Sequence, residues 1–514
     1  MQSNSNNTPL ILFGCIGIGV ILGGLLSFPN NPWAKENHAK KKMTQLIDYI
    51  QNDYVEEVNT DSLVDNAVDE ILQRLDPHSV YVNAKDQGDL AEVMKGEFSG
   101  IGVHFFQLRD TLTIINIIKD GPSAQAGLLA GDRIIKADGK SLTGKNWNTD
   151  KLFSKLKGNE GSQVALTIFR KSTRKKFEVS LQRELLPIKS IPAAFIVKSG
   201  IGYVKIERFS ESTAQEFDHA LEVLKSKGMR QLIVDVRGNG GGYLEAAVHV
   251  ADQFLPAGAV IVSTRKKKGD VKIHKATKEG LFEQGKVHLL IDENSASASE
   301  ILAGALQDHD RATLYGRRSF GKGLVQNELK FDDQSAVRLT TARYFTPCGR
   351  SIQRPYKKGE LDDYDQEMER RLARGEFYQA SEIPKPDSLK FRTDHGRIVY
   401  GGGGIIPDVF VPLETGDAVQ DVFILMESGL VGQFVFEYWE NHRYPKQWNW
   451  DPNQTITDFE QFILRQGIDF PLKSYLPIVM KYLEAEKARF LENETAYFRV
   501  LLQKDPYLMI INQH

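Results

Sequence analysis

At 514 residues the chain has room for roughly three domains at about 150 residues each, and its 41% hydrophobic and 26% charged residues exclude a disordered, fibrous or polytopic membrane protein. Lys and Arg number 65 against 67 Asp and Glu, a formal net charge of -2, so there is no overall electrostatic case for nucleic acid as a partner. Cys15 and Cys348 are the only cysteines, too few for a disulfide framework or a cysteine-rich zinc site.

The run from Leu10 to Phe28 carries no charge and has about the length a helix needs to cross a bilayer, so residues 1–34 read as a membrane anchor or signal segment. Pro29 and Asn30-Asn31-Pro32 make no A-x-A cleavage site. Lys35, Lys40, Lys41 and Lys42 follow the run, which by the positive-inside rule would leave the body in the cytoplasm. Residues 35–96 form an N-terminal helical region. Leu46, Ile47, Ile50 and Tyr54, then Val64, Val68, Ile71 and Leu75, predict amphipathic helix from Met43 towards Tyr81, stopping at Asp76-Pro77. Residues 97–186 change to short strands punctuated by glycine: Leu112 to Ile118, Arg133 to Ala137 and Val164 to Arg170, with a short helix from Pro122 to Leu128.

Residues 187–415 alternate element types. Strand Ile201 to Ile206 precedes a helix through Ala214, Phe217, Leu221 and Leu224. Strand Gln231 to Val236, helix Tyr243 to Phe254, strand Val287 to Asp292 and helix Ser297 to Leu306 follow. This order predicts a mostly parallel sheet with its site at the carboxyl ends of the strands. Within it, residues 357–384 are charged and helix-prone and read as an exposed insertion. Residues 416–514 read as a helical extension whose Phe434, Phe436, Tyr438 and Trp439 serve packing.

Three glycine-rich or serine-rich places could carry chemistry. Asp235-Val236-Arg237-Gly238-Asn239-Gly240-Gly241-Gly242 fails the dinucleotide fingerprint, since Tyr243 takes its third glycine place, but a strand running into glycines and then a helix offers amides to an anion or oxyanion. Gly316 to Gly323 reads G-x-x-x-x-G-K, yet Gly323 stands where a magnesium-binding hydroxyl belongs and Leu324 to Lys330 alternates like a strand, so nucleotide binding is rejected. In Asn294-Ser295-Ala296-Ser297-Ala298-Ser299-Glu300, a serine at the strand-to-helix junction can be an ordinary N-cap, with Glu300 three residues on as in a capping box. A hydroxyl there also suits a nucleophile, because the helix dipole and the next amide favour an oxyanion. No G-x-S-x-G or H-E-x-x-H motif supports a histidine-based site. A desolvated lysine can serve instead as the base, and Lys322, among Gly321, Gly323, Leu324 and Val325, is the candidate.

These residues resemble the carboxyl-terminal processing peptidases, serine endopeptidases with a Ser/Lys dyad and an inserted PDZ domain. The S-A-S-A-S-E motif matches Ser295 to Glu300, G-K-G matches Gly321 to Gly323, and the D-[LV]-R-x-N-x-G-G turn matches Asp235 to Gly242. Leu75 to Ser79, Thr346 to Gln353 and Gly404 to Asp408 are further matches, so the resemblance covers about Met43 to Leu413. It implies Ser297 as nucleophile, Lys322 as base and Gln326 as the residue that orients Lys322, with the amides of Gly241 and Ala298 as oxyanion hole. Cys348 stands where a serine is common. Gly100-Ile101-Gly102-Val103 corresponds to a PDZ carboxylate-binding loop, which would add a peptide as a strand.

The implied fold is α/β: a ClpP/crotonase-like protease core with an inserted β-rich PDZ domain, an N-terminal helical region and a helical C-terminal extension. The implied activity is cleavage of proteins recognised by apolar C-terminal tails, through an acyl-enzyme and without metal or other cofactor. Expected partners are such substrates, the membrane through the N-terminal segment, and a second copy in a homo-oligomer. The family usually works outside the cytoplasm, which places the body on the extracytoplasmic, periplasmic side despite the lysines. The alternatives are a catalytically silent, membrane-tethered PDZ scaffold and a crotonase-like acyl-CoA enzyme.

Overall fold

The computed structural model describes residues 38–108, 110–144, 149–277, 280–414 and 417–513; the anchor assigned to 1–34 lies outside them. Among the described residues no helix is long and apolar enough to cross a membrane. The amphipathic run expected from Met43 towards Tyr81 is two helices, His38–Asp53 and Thr60–Gln73, followed by the strand Val80–Val82. The break has a local cause: Asn59 Oδ1 accepts the Ser62 N–H and so starts the second helix afresh.

Residues 72–514 form one compact unit. A helix, Ala84–Lys95, capped by Asn83 and ended by Gly96 in the left-handed region, leads into the β-rich domain. There the strands Val103–Leu108, Thr111–Ile117, Asp132–Ala137, Gln163–Arg170 and Lys175–Gln182 follow one another across an antiparallel sheet, which puts Val103–Leu108 at its edge. Leu112, Ile114, Ile134, Leu166 and Ile168 fill its core with Leu152 and Leu156 from the helix Thr149–Leu156. The chain enters and leaves this domain through an antiparallel ribbon, Glu97–Gly100 against Glu184–Pro187.

The α/β core is a six-stranded sheet in the order Ala193–Lys198, Ile201–Lys205, Gln231–Asp235, Lys286–Ile291, Thr313–Gly316, Val409–Phe410; the first pair is antiparallel and the rest parallel. Its strands are apolar on both faces because both are covered. Leu232, Val234 and Leu289 face the helices Thr213–Ser226, Leu244–Asp252 and Ala298–Asp308. Ile233, Leu290 and Tyr315 face Tyr507, Leu508 and Ile511 of the C-terminal helix Pro506–Ile511. A second, antiparallel sheet was not anticipated: Ala336–Phe345 pairs with Val80–Val82, Val260–Lys266 and Leu324–Lys330, and Val271–Lys275 adds at one edge.

The segment expected to be an exposed insertion is anchored instead. Tyr364, Arg371, Glu376, Phe377 and Ile383 are all buried. In the extension, Phe434, Phe459 and Phe462 pack with Val422, Val431 and Leu483, as packing aromatics should. Trp439 and Tyr444 lie against Gly131 of the β-rich domain, where Glu440 binds Arg133 at 2.7 Å and Lys171 at 2.6 Å.

Candidate active site

The three alternating serines at the strand-to-helix junction have different duties. Ser295 is fully buried and its hydroxyl donates to the Val236 carbonyl at 2.8 Å; that of Ser299, also fully buried, donates to the Asn239 carbonyl at 2.9 Å. Both tie the junction to the glycine turn after Gln231–Asp235. Ser297 is half-buried and stands as the N-cap of Ala298–Asp308, in a capping box with Glu300. Its backbone, at φ 53° and ψ -111°, lies in a region that L-residues rarely adopt. The carbonyl there accepts from Tyr344 Oη at 3.1 Å, and the N–H donates to Glu300 Oε2 at 2.9 Å.

Glu300 is the hub. Its side chain is fully buried in the first turn of Ala298–Asp308 and accepts four hydrogen bonds: Ser297 N–H and, at 2.8 Å, Lys322 N–H on one oxygen; Ser319 Oγ at 2.5 Å and Gly321 N–H at 2.7 Å on the other. Burial pushes its pKa up to about 7, while the four donors pull the other way by favouring the carboxylate. The N3 position of Glu300 is visible in the sequence as a capping signal; its grip on the segment before Lys322 is tertiary, and no local pattern announces it.

Lys322 lies just before the strand Leu324–Lys330, its Nζ donating to Gln326 Oε1 at 2.9 Å. Burial depresses its pKa, and the positive charge of Arg338 depresses it further, against the pull of Glu300 and Asp76. Gln326 Nε2 in turn donates to the His78 carbonyl. Asp76 builds the turn that presents that carbonyl: it accepts the His78 and Ser79 amides at 3.0 Å each and the Thr340 hydroxyl at 2.9 Å, hooking Leu75 to Ser79 onto Ala336–Phe345. His78 itself is pushed down to about 3, chiefly by burial and then by Lys322, so its imidazole is neutral. The residues Thr346 to Gln353 close over the same strand, with Gln353 Oε1 accepting the Gly323 N–H at 2.8 Å.

On the opposite side, a Cβ built on Gly241 would stand 2.8 Å from Ser297 Cβ and 3.0 Å from Ala298 N, so the glycine turn packs against Ser297 and only glycine fits. The Ala298 N–H has no partner among the described residues. The Gly241 N–H, however, donates to Asn239 Oδ1 at 2.8 Å, so in this state it does not point to a free oxyanion site. Asn239 is held by its own amide, which donates to the Ile206 carbonyl at 3.0 Å. In the β-rich domain, the loop Gly100 to Val103 leads into the edge strand, and neither Ile101 nor Gly102 N–H has an acceptor among the described residues. Phe105 of that strand touches Phe153 of the facing helix, ring centroids 4.7 Å apart.

Ser297, Lys322, Gln326, Gly241 and Ala298 thus belong to one locality linked through Glu300 and the glycine turn. Gly100, Ile101, Gly102 and Val103 belong to the other domain. Sequence profiles match accordingly: Peptidase family S41 over residues 200–361, the PDZ domain over 99–181, and the activating protease CtpB N-terminal domain over 28–86. A carboxy-terminal-processing protease of Bartonella bacilliformis is 36% identical over 312 residues, which cover 60% of this chain and 71% of that protein. The carboxy-terminal processing protease CtpA of Bacillus subtilis is 33% identical over 328 residues, 63% of this chain and 69% of that one. Among solved structures, a photosystem II D1 C-terminal processing protease aligns with a TM-score of 0.37 at 24% identity, covering 72% of this chain and 87% of its own.

Proposed function

Because the chain belongs to peptidase family S41, among its carboxy-terminal processing proteases, we propose that it cuts proteins as a serine endopeptidase with a Ser297/Lys322 dyad, after its PDZ domain has bound the substrate's C-terminal tail. The observation that carries the reading is the shared anchor: one buried carboxylate, Glu300, holds the main chain of both nucleophile and base. A lysine can take a serine proton only when its amine is neutral, and burial beside Arg338 supplies that bias.

In this mechanism Ser297 Oγ attacks the peptide carbonyl while Lys322 Nζ takes its proton. The oxyanion is met by the Ala298 N–H, and the Gly241 N–H joins it by leaving Asn239 Oδ1. Lys322 then protonates the leaving amine, and water, activated by the same amine, hydrolyses the Ser297 ester. The free edge of Val103–Leu108 and the unbonded amides of Ile101 and Gly102 suit a peptide that adds as a strand with its carboxylate in the loop. An apolar terminal residue fits beside Phe105 and Phe153. The uncharged run Leu10 to Phe28 supports a membrane tether, and the resemblance to a family that usually works outside the cytoplasm favours an extracytoplasmic body against the lysines that follow the run, which protease shaving of intact cells tests.

The deciding experiment is cleavage of casein by the full chain beside Ser297→Ala and Lys322→Ala. Loss of cleavage in both folded variants is the expected result. If both variants cut like the parent, the dyad is wrong; if the parent binds a tailed peptide and cuts neither it nor casein, the scaffold reading replaces this one.

A further inference from the structure

Lys322 has supports beyond residues 200–361, in the segment whose composition suggested a solvent-exposed insertion. The helices Leu361–Asp365 and Glu367–Ala373 carry Tyr364, 4% exposed, and Arg371, 1% exposed. A guanidinium buried so deeply costs several kcal/mol unless its donors are used. Those of Arg371 are: Nε donates to Glu376 Oε1 at 2.8 Å, Nη1 to the Ser319 carbonyl at 3.1 Å and Nη2 to the Arg318 carbonyl at 2.5 Å. Glu376 also accepts the Arg318 fork, at 2.7 Å on each oxygen. Arg318 and Ser319 are the residues that lead through Phe320 and Gly321 into Lys322.

Tyr364 grips the other side. Its hydroxyl lies 2.8 Å from His78 Nε2, and its ring carries the Arg354 guanidinium at 3.6 Å, which also covers Phe320 at 4.2 Å. The His78 carbonyl accepts from Gln326, and Gln326 holds the Lys322 amine. Two separate routes therefore run from one short segment to one lysine, the first through the main chain of Arg318 to Gly321 and the second through His78, by its ring and its carbonyl, and Gln326.

We propose that the segment 361–377 is a positioning element for the base, with Arg371 setting the main chain of Arg318 and Ser319 and Tyr364 setting Gln326 through His78. The inference rests on the reading of Lys322 as the base. Neither residue is assigned contact with the substrate. The amine is faced by Arg338, Glu300, Asp76 and His78, so a lysine that slips from its place meets a different field and a different hydration. A positioning role thus alters the turnover rate and its pH profile, whereas a purely structural role alters stability alone.

The test measures kcat and KM of the full chain on a fluorogenic peptide with an apolar C-terminus, from neutral to alkaline pH, with thermal unfolding of each variant. Tyr364→Phe keeps the ring and its stacking and removes only the hydroxyl. The expected result is a kcat lower by about tenfold, KM within about twofold, and an alkaline limb displaced from that of the parent. Arg371→Lys shifts kcat in the same direction, and Glu369→Ala, at an exposed position of the same helix, behaves as the parent. A Tyr364→Phe protein that unfolds like the parent and retains its kcat and pH profile overturns the inference; it decides alone if Arg371→Lys does not fold. Ser297→Ala and Lys322→Ala run beside them, and activity in these overturns the dyad itself, a failure distinct from that of the insertion.

Discussion

Ser297 occupies its backbone region at a cost of about 1–3 kcal/mol, and the surrounding bonds hold it there. Among them is the bond to Glu300, whose side chain accepts four donors. Glu300→Gln keeps the shape but replaces an acceptor oxygen by a donor, so at least one of those amides loses its partner. A charge-assisted bond of about 1.5–3 kcal/mol then disappears from the anchor, and kcat should fall about 10- to 100-fold with KM little changed, as steady-state kinetics will read. Lys322 offers a test with a sign. Its pKa is depressed, the proposed dyad requires the neutral amine, and so the rate should rise as pH rises through that pKa. Arg338 disfavours the ammonium; Arg338→Gln therefore raises the pKa and moves the rising limb of the kcat profile to higher pH. A limb that stays in place, or moves down, would remove Arg338 from the account.

At the scale of elements, the C-terminal helix Pro506–Ile511 shows how much a short helix can depend on its first residue. Asp505 caps it, accepting the Tyr507 and Leu508 amides at 2.9 and 3.3 Å, and the same carboxylate binds Arg237 at 3.0 Å beside the glycine turn. Asp505→Ala should lower the unfolding temperature by about 2–4 °C, and Asp505→Asn should recover part of it by keeping the cap without the charge. This capping is readable in the chain, since Asp505-Pro506 is an ordinary helix opening. The alternation of strand and helix that builds the parallel sheet was equally legible, because each strand reads as an apolar run and each helix has a 3–4 stripe. The hairpin Val260–Lys266 with Val271–Lys275 was not: its outer strand is largely exposed, so its sequence carries no core-facing period to recognise. The 361–377 segment was misread for a related reason. Its charges looked like a solvated face, and only the distant carbonyls of Arg318 and Ser319 reveal that Arg371 is buried in use. Ser297, Lys322 and Gln326 were singled out by motif and spacing as the proposed nucleophile, base and orienting residue, while the engagement of the Gly241 amide by Asn239 depends on a side-chain rotamer that spacing does not encode.

Across the whole molecule, the extension joins what the core chain keeps apart. Its Glu440 and Trp439 rest on the PDZ domain, and its Tyr507, Leu508 and Ile511 cover one face of the core sheet, with Tyr507 stacked on Arg237 at 4.4 Å. The PDZ domain is thus held by the extension, by the ribbon Glu97–Gly100 with Glu184–Pro187, and by Lys157, which binds Asp89 and Glu92 of the helix Ala84–Lys95. In that ribbon Gly100 stands directly opposite Glu184, so the chain leaves the core and returns to it side by side, about 5 Å apart. Seen from the core, everything from 101 to 183 is a very long hairpin loop. A two-residue turn could close the same ribbon without altering the path of any other strand, and another recognition module with adjacent ends could be spliced in at that point. The architecture makes the PDZ domain an exchangeable cartridge and leaves the core to close on itself without it.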